Sequence, residues 1–321
     1  HLDLERDIAD FYGIEKGIIY SYDIATSSSV IPAFLKRGDL VVCDEGVNFA
    51  IQTGLDLSRA FVKEFRHNDM ADLERILRVV AEADEREPPK ILNRRFIVVE
   101  GLYQNTGLIA PLAQVVELAE RFKFRVMLEE SMSMGTLGVT GHGACEHHGV
   151  SVSAPSIICG TMSASLATVG GFCLGEPSVV NHQRLSSTAY CFSASLPPFN
   201  ATAGIVALRL LRSEGKDRVA ALRRNCVAMH KLLTAALAGS RGDGGAEGGG
   251  LWLMGDEISP VKHLHLVHST GNRAGDEALL YQVRLVARLP CGRALDILWF
   301  QFEWAGWTLA DGAGMRCLCG G

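Results

Sequence analysis

Two adjacent acidic residues, Glu129 and Glu130, end an apolar run and suggest a paired general acid and base. Paired carboxylates do acid–base chemistry only where both reach the same reacting atoms. Residues 126–129 read as a buried strand, and neighbouring side chains of a strand point to opposite faces. We therefore expect Glu129 and Glu130 to lie in different environments and not to act as a pair.

A second group of reactive side chains is concentrated in residues 141–149, which contain His142, Cys145, His147 and His148. Imidazole and thiolate groups are the usual ligands of zinc. Their spacing here matches no standard zinc pattern, and the segment is rich in glycine. The sequence therefore does not predict a metal site in this segment.

Short apolar runs that alternate with amphipathic helices are expected to position the reactive residues. Residues 17–21, 40–43, 96–99, 126–129 and 156–159 read as strands buried on both faces. Helices are predicted over residues 70–83, 112–122, 199–211 and 217–238, and a flexible linker over 240–250. Strand and helix in series predict a doubly wound α/β fold with a mainly parallel sheet.

Composition excludes several classes of function. The chain has 321 residues, a net charge of −5 and no basic run, so nucleic acid is not an expected partner. No apolar stretch reaches the roughly 20 residues of a membrane-spanning helix. Nine cysteines without a Cys-x-x-Cys pair predict structural thiols, as at Cys43, Cys159 and Cys173, and no disulfide framework. The chain opens within a predicted helix, so we expect further sequence before His1.

Five strings occur in a fixed order along the chain and carry a family resemblance. They are HLDLE (1–5) with IYSY (19–22), HNDMADLE (67–74), RFIVVEGLY (95–103) with NTG (105–107), GTM (160–162) with GGF (170–172), and YCFSASLPP (190–198). Together they resemble the α-oxoamine synthases, which are pyridoxal-phosphate (PLP) enzymes that condense an amino acid with an acyl-CoA. Within that family, the strings are most similar to the lysine-less first long-chain-base subunits of eukaryotic serine palmitoyltransferases.

The resemblance implies a fold-type I PLP-dependent transferase. We expect the large α/β domain in residues 1–240 and the start of an incomplete small α+β carboxy-terminal domain in 251–285. Residues 286–321 are glycine- and cysteine-rich without a clear period, and are expected to form a diverged tail of uncertain structure.

The lysine that PLP chemistry requires for its Schiff base is missing. The family resemblance puts this lysine in the turn after the strand at 156–159, at a position that here is Ala164. No lysine occurs between Lys123 and Lys216, so the conclusion does not depend on one aligned position. We therefore predict that this chain has no catalytic residue of its own.

Four further positions depart from the family pattern. Glu129 stands at the position of the aspartate that pairs with the pyridine nitrogen, and its longer side chain would crowd the ring. Met132 and Asn48 stand at positions that are histidines in the catalytic family. Asp23 stands in the phosphate cradle, where the family has a small neutral residue and where a carboxylate would repel a phosphate. The five altered positions together predict a subunit that holds no PLP.

One string of the cofactor site is intact. In the family, the cofactor lies at the dimer interface, and the resemblance implies that Ser193 and Ser195 reach the phosphate of PLP held by the partner subunit. The alternative for Ser193 is that it caps the helix that begins near Pro197.

The implied function is that of a non-catalytic subunit of serine palmitoyltransferase. The partner would be the catalytic long-chain-base subunit, which carries PLP, and the heterodimer would condense L-serine with palmitoyl-CoA to 3-ketodihydrosphingosine. The family resemblance puts the complex on the cytosolic face of the endoplasmic reticulum membrane, associated through a segment not present here. Two alternatives remain open, namely a self-sufficient PLP-dependent acyltransferase and a non-enzymatic, truncated scaffold.

Overall fold

A mixed seven-stranded sheet forms the centre of the protein. The computed structural model describes residues 1–87, 93–238 and 251–266, and the backbone of 299–302. The strands are β1 (Lys16–Tyr20), β2 (Leu40–Asp44), β3 (Phe61–Phe65), β4 (Arg95–Glu100), β5 (Arg125–Glu129), β6 (Ile157–Thr161) and β7 (Gly171–Gly175). Their order is β1-β7-β6-β5-β4-β2-β3, and β7 runs antiparallel to both of its neighbours while the other pairs are parallel. The mainly parallel α/β sheet confirms the predicted fold class.

Helices cover both faces of this sheet. They are α1 (Leu2–Tyr12), α2 (Asp23–Phe34), α3 (Phe49–Ser58), α4 (Met70–Arg86), α5 (Leu112–Phe122), α6 (Gly143–His148), α7 (Ser163–Leu166), α8 (Pro177–Ser186), α9 (Thr188–Cys191) and α10 (Pro198–Ala238). Strand β4 shows the layering, because Phe96 and Val98 belong to one buried apolar cluster and Ile97 and Val99 to the other. Burial on both faces explains why the central strands are continuous apolar runs.

Two strands of the sheet were not predicted. Strand β3 lies at the edge of the sheet, and its first four residues, among them Lys63 and Glu64, are exposed. Strand β7 begins and ends with glycine, which is uncommon in strands. In both cases the sheet supplies pairing that the local composition does not indicate.

The prediction of two separate helices over 199–211 and 217–238 was wrong, because α10 is one helix of 41 residues. Gly215 lies at the predicted break, and a glycine costs a helix interior only about 1 kcal/mol relative to alanine. A Cβ atom at this position would lie 2.8 Å from the carbonyl oxygen of Thr140. The glycine therefore allows close packing and does not end the helix.

A second, three-stranded sheet contains β8 (Leu251–Met254), β9 (Val261–Leu266) and β10 (Trp299–Phe302) in the order β10-β9-β8. Strand β8 is antiparallel to β9, and β10 is parallel to it. The predicted linker at 240–250 and the predicted tail, apart from the backbone of β10, lie outside the described residues. The division of the chain into domains stays a prediction. Within the described segments, no helix combines the length and apolarity needed to cross a bilayer.

Candidate functional site

A cavity of about 230 Å³ lies at the carboxyl ends of the central strands, beside the amino-terminal ends of α2 and α3. Ligands of open α/β sheets bind outside the carboxyl ends of the strands. The wall contains all five positions that the sequence analysis identified as altered cofactor contacts. These are Asp23, Asn48, Glu129, Met132 and Ala164. The chain therefore brings together residues that lie up to 141 positions apart.

Ala164 lies on the short helix α7, directly after β6, and presents a methyl group to the cavity. Among the described residues that line the cavity there is no lysine, arginine or histidine. A Schiff base requires a primary amine at this place. The described wall offers none.

Glu129 ends β5 and is 2% exposed. Its carboxylate accepts hydrogen bonds from the backbone N–H of Ser131, at 3.2 Å, and from the Ser131 hydroxyl. Burial raises the pKa of Glu129 to about 7, although both hydrogen bonds favour the ionised form. The carboxyl group of Glu129 therefore keeps its proton to a higher pH than an ordinary glutamate does.

Glu100 pairs with Glu129 across the β4–β5 register and is fully buried. Its two carboxylate oxygens accept backbone N–H groups, at 2.6 Å from Asn48 and 3.0 Å from Gln104. Burial, followed by the charge of Glu129, raises the pKa of Glu100 to about 8. Sequence reasoning missed Glu100, because only the register of two strands distant in sequence brings the two carboxyl groups together.

Asn48 caps helix α3. Its side-chain oxygen accepts hydrogen bonds from the backbone N–H groups of Ala50, at 3.0 Å, and Ile51, at 3.1 Å. The side chain is 7% exposed and has no aromatic ring that could stack on a cofactor. The residue at this position therefore stabilises the start of the helix.

Asp23 is the first residue of α2 and is half-buried in the cavity wall. Its Oδ1 atom accepts the backbone N–H of Gly170 at 2.8 Å, and burial raises the pKa of its carboxyl group. The backbone N–H of Gly170 therefore already donates to a carboxylate in the region where the family resemblance implies the phosphate cradle.

Met132 belongs to a small apolar cluster with Leu102, Leu137 and Val261, and Ala164 packs against it. Met132 is 9% exposed, and a thioether neither donates nor usefully accepts a proton. Met132 therefore makes one side of the cavity apolar.

Ser193 and Ser195 lie outside the cavity wall, in the exposed segment between α9 and α10. The Ser193 hydroxyl donates to the carbonyl oxygen of Ala189 at 2.5 Å and to that of Ala194 at 3.2 Å. It does not accept a hydrogen bond from the start of α10, so the structure does not support the alternative role as a helix cap. The buried side chain of Leu196 anchors this segment.

A chain of hydrogen bonds supports the loop that carries Gln104 and Asn105 into the wall. His67 Nδ1 lies 2.7 Å from Asp44 Oδ1, and His67 Nε2 lies 2.9 Å from Thr106 Oγ1. His67 is the first residue of the HNDMADLE string, one of the five strings that carry the family resemblance. Through the hydrogen bonds of His67, the turn between β3 and α4 is connected to the loop that forms part of the cavity wall.

The remaining candidates make local contacts. Glu130 accepts hydrogen bonds from the Ser133 hydroxyl and, at 3.1 Å, from the backbone N–H of Ala144, on a different side from the cavity. His142 stacks on Phe11 with ring centroids 4.1 Å apart, and Cys145 is fully buried. In the described segments, no group of three or more histidine, cysteine, aspartate or glutamate side chains has a metal-binding arrangement.

The sequence matches a known family. Residues 1–247 match the sequence profile described as aminotransferase class I and II, so the chain belongs to that family. It is similar to long chain base biosynthesis protein 1b of Oryza sativa subsp. japonica, with 48% identity over 280 residues, which are 87% of this chain and 55% of that protein. Serine palmitoyltransferase 1 of Dictyostelium discoideum is 41% identical over 286 residues, which are 88% of this chain and 57% of that protein. The chain thus spans little more than half the length of these curated relatives.

A solved structure with a related name is also similar to this chain. A lysine-to-alanine variant of the serine palmitoyltransferase of S. paucimobilis, with a bound PLP–myriocin aldimine, superposes with a TM-score of 0.66 and 31% sequence identity. The matched region covers 73% of this chain and 56% of that one. PLP is therefore a cofactor within this group of related proteins.

Three features of the described wall are unfavourable for PLP chemistry in this cavity. Ala164 supplies no amine for a Schiff base, and the acid beside the pyridine nitrogen would be Glu129, whose pKa burial raises to about 7. The carboxylate of Asp23 accepts the backbone N–H of Gly170 in the region implied for the phosphate. A phosphate dianion brought close to this carboxylate would be repelled.

Proposed function

We propose that this chain is the non-catalytic subunit of a serine palmitoyltransferase. The proposed partner is a second long-chain-base subunit that carries the lysine and holds PLP. The complex condenses L-serine with palmitoyl-CoA, releases CO2 and CoA, and forms 3-ketodihydrosphingosine. This chain supplies half of the subunit interface. The proposed location, taken from the family resemblance alone, is the cytosolic face of the endoplasmic reticulum membrane.

One observation carries the proposal: the cavity has the position of a cofactor site but has Ala164 in place of an amine. The names of the relatives support the same reaction. A self-sufficient acyltransferase would need a lysine in a wall where the described residues supply none. The hypothesis of a non-catalytic subunit therefore explains both the similarity to the named relatives and the altered cavity.

Ser193 and Ser195 are the proposed contribution of this chain to the partner's cofactor site, by hydrogen bonds to the phosphate of PLP. Their exposure and their absence from the wall of this chain's own cavity support a role towards another subunit. Hydroxyl donors to an anionic phosphate form charge-assisted hydrogen bonds, which are stronger than those between neutral groups. Phe192, beside them, is 88% exposed, which supports a further contact in the assembly.

Co-expression of this chain with a lysine-bearing second subunit tests the proposal. We expect a stable complex that forms the ketone product only when both L-serine and palmitoyl-CoA are present. Omission of this chain should abolish the activity. A stable complex whose activity does not require this chain would favour a scaffold role, and product formation by this chain alone would overturn the proposal.

A further inference from the structure

We propose that the cavity between α2, α3 and the carboxyl ends of the strands binds an organic ammonium ion, a protonated primary amine with a short apolar body. This inference goes beyond the proposed function and does not depend on it, because it concerns binding by the chain's own cavity. The wall is unfavourable for PLP, but its charge and its apolar side chains suit a different ligand.

The charge of the wall favours a cation. Asp23 and Glu129 line the cavity, and the described lining residues contain no basic side chain. Glu100, behind Glu129, has backbone N–H groups as hydrogen-bond donors and, among the described residues, no cationic partner. Burial raises the pKa of both lining carboxyl groups, and a bound cation would offset the cost of ionising them. No basic side chain of the described lining compensates these carboxyl groups when they are ionised.

The wall also contains acceptors that an ammonium group can use. Asn105 Nδ2 donates to the carbonyl oxygens of Gly46, at 3.4 Å, and Val47, at 3.2 Å. Its Oδ1 atom has no donor within the described part of the chain, and neither does the side-chain oxygen of Gln104, which lines the same cavity. A primary ammonium has three N–H donors. The two carboxylates and these amide oxygens can receive them.

The rest of the lining is apolar and favours an organic cation over a metal ion. Met132 and Val261 are buried inside the cavity, while Ile24 and Phe49 lie half-exposed in the wall. Hard metal ions take shells of oxygen ligands and retain water, so they gain nothing from these side chains. An alkyl group in the same place would be removed from water. The chemical class of the ligand is thus a small alkylammonium.

The titration of Glu129 provides a signature of binding. An ammonium ion favours ionised Glu129, whose pKa in the free protein is raised to about 7 by burial. Affinity should therefore rise about tenfold between pH 6 and pH 8, in step with the ionised fraction of this carboxyl group. The charge of Glu129 raises the pKa of four other titratable groups, and a bound cation would lower all four. They are Tyr12, Glu100, Glu130 and Cys159.

Isothermal titration calorimetry with n-butylammonium, n-butanol and butyrate tests the proposal on the full chain without added PLP. If the chain is isolated only with its partner, the partner's cofactor is first reduced with borohydride, so that it cannot react with the amine. We expect n-butylammonium to bind at least about tenfold more tightly than the alcohol or the carboxylate. Equal affinity for n-butanol, or no binding of n-butylammonium, would overturn the proposal.

Two charge-removing variants and one control locate the site. Glu129→Gln and Asp23→Asn keep an acceptor oxygen and should each weaken n-butylammonium binding about tenfold. Glu64→Gln, on the exposed edge strand β3, should leave it unchanged. Unchanged affinity in both cavity variants would overturn the assignment. If a variant fails to fold, the pH profile of the unmodified chain decides, because a flat profile from pH 6 to pH 8 contradicts the proposal.

Discussion

Replacement of Glu129 by glutamine should make the protein more stable above neutral pH, although it removes a native carboxylate. Burial raises the pKa of Glu129 from 4.5 to about 7. The native state therefore binds this proton more tightly than the unfolded state does. The stabilisation is fully present below pH 4.5 and is lost as the pH rises through 7. The variant keeps the size of the side chain and has no proton to lose.

The size of the pKa shift of Glu129 determines how much the stability difference between the two proteins changes with pH. A pKa difference between 4.5 and about 7 corresponds to about 3 kcal/mol, so this is the largest relative change expected between pH 4.5 and pH 8. Glu100 titrates with Glu129, and removal of one charge makes the other carboxyl group easier to ionise. Glutamine also mispairs with one Ser131 donor, at a cost of about 1 kcal/mol that does not depend on pH. The change with pH, and not the absolute difference, is therefore the test.

Urea unfolding of the chain and of Glu129→Gln at several pH values between 5 and 8 measures this change. Histidines with lowered pKa values, such as His147, His148 and His265, add a pH dependence of opposite sign to both proteins. The difference between the two curves removes that contribution. We expect the variant to gain stability relative to the unmodified chain as the pH rises. Parallel curves would refute the raised pKa of Glu129.

Three further predictions concern single side chains. Asn48→Ala removes the cap of α3 and should lower the free energy of unfolding by about 1 kcal/mol in urea titrations; no loss would contradict the capping role. His67→Ala leaves buried Asp44 without its imidazole partner and should cost about 2 kcal/mol in the same assay; a cost within experimental error would show that the hydrogen-bond chain carries no stability. Ser193→Ala should raise the PLP concentration needed for half-maximal activity of the co-expressed complex without changing complex formation. The control Ser213→Ala, on the exposed side of α10, should change neither quantity. Equal behaviour of the two variants would exclude the proposed phosphate contact.

The central strands could be predicted because burial on both faces requires continuous apolar runs. The runs around Val41 and Val98 show this directly. Strand β3 could not be predicted in this way, since an edge strand tolerates charged residues such as Lys63 and Glu64. The continuity of α10 through Gly215 depends on the close approach of Thr140, which no local pattern contains.

The altered cavity was predictable in its residue types but not in its contacts. The resemblance identified Asn48 and Asp23 as departures, and the structure shows that one caps a helix while the other accepts the N–H of Gly170. The pairing of Glu100 with Glu129 follows from strand register, which is a property of the sheet and not of either sequence segment. Family motifs therefore indicated where the site lies, and tertiary structure determined its electrostatics.

The most direct test of the central claim asks which subunit carries the cofactor. The co-expressed complex is loaded with PLP, reduced with borohydride and digested, and the modified peptide is identified by mass spectrometry. We predict that the reduced adduct occurs on a lysine of the partner subunit and on no peptide of this chain. A stoichiometric adduct on any lysine of this chain would contradict the account and identify this chain as a PLP-binding subunit in its own right.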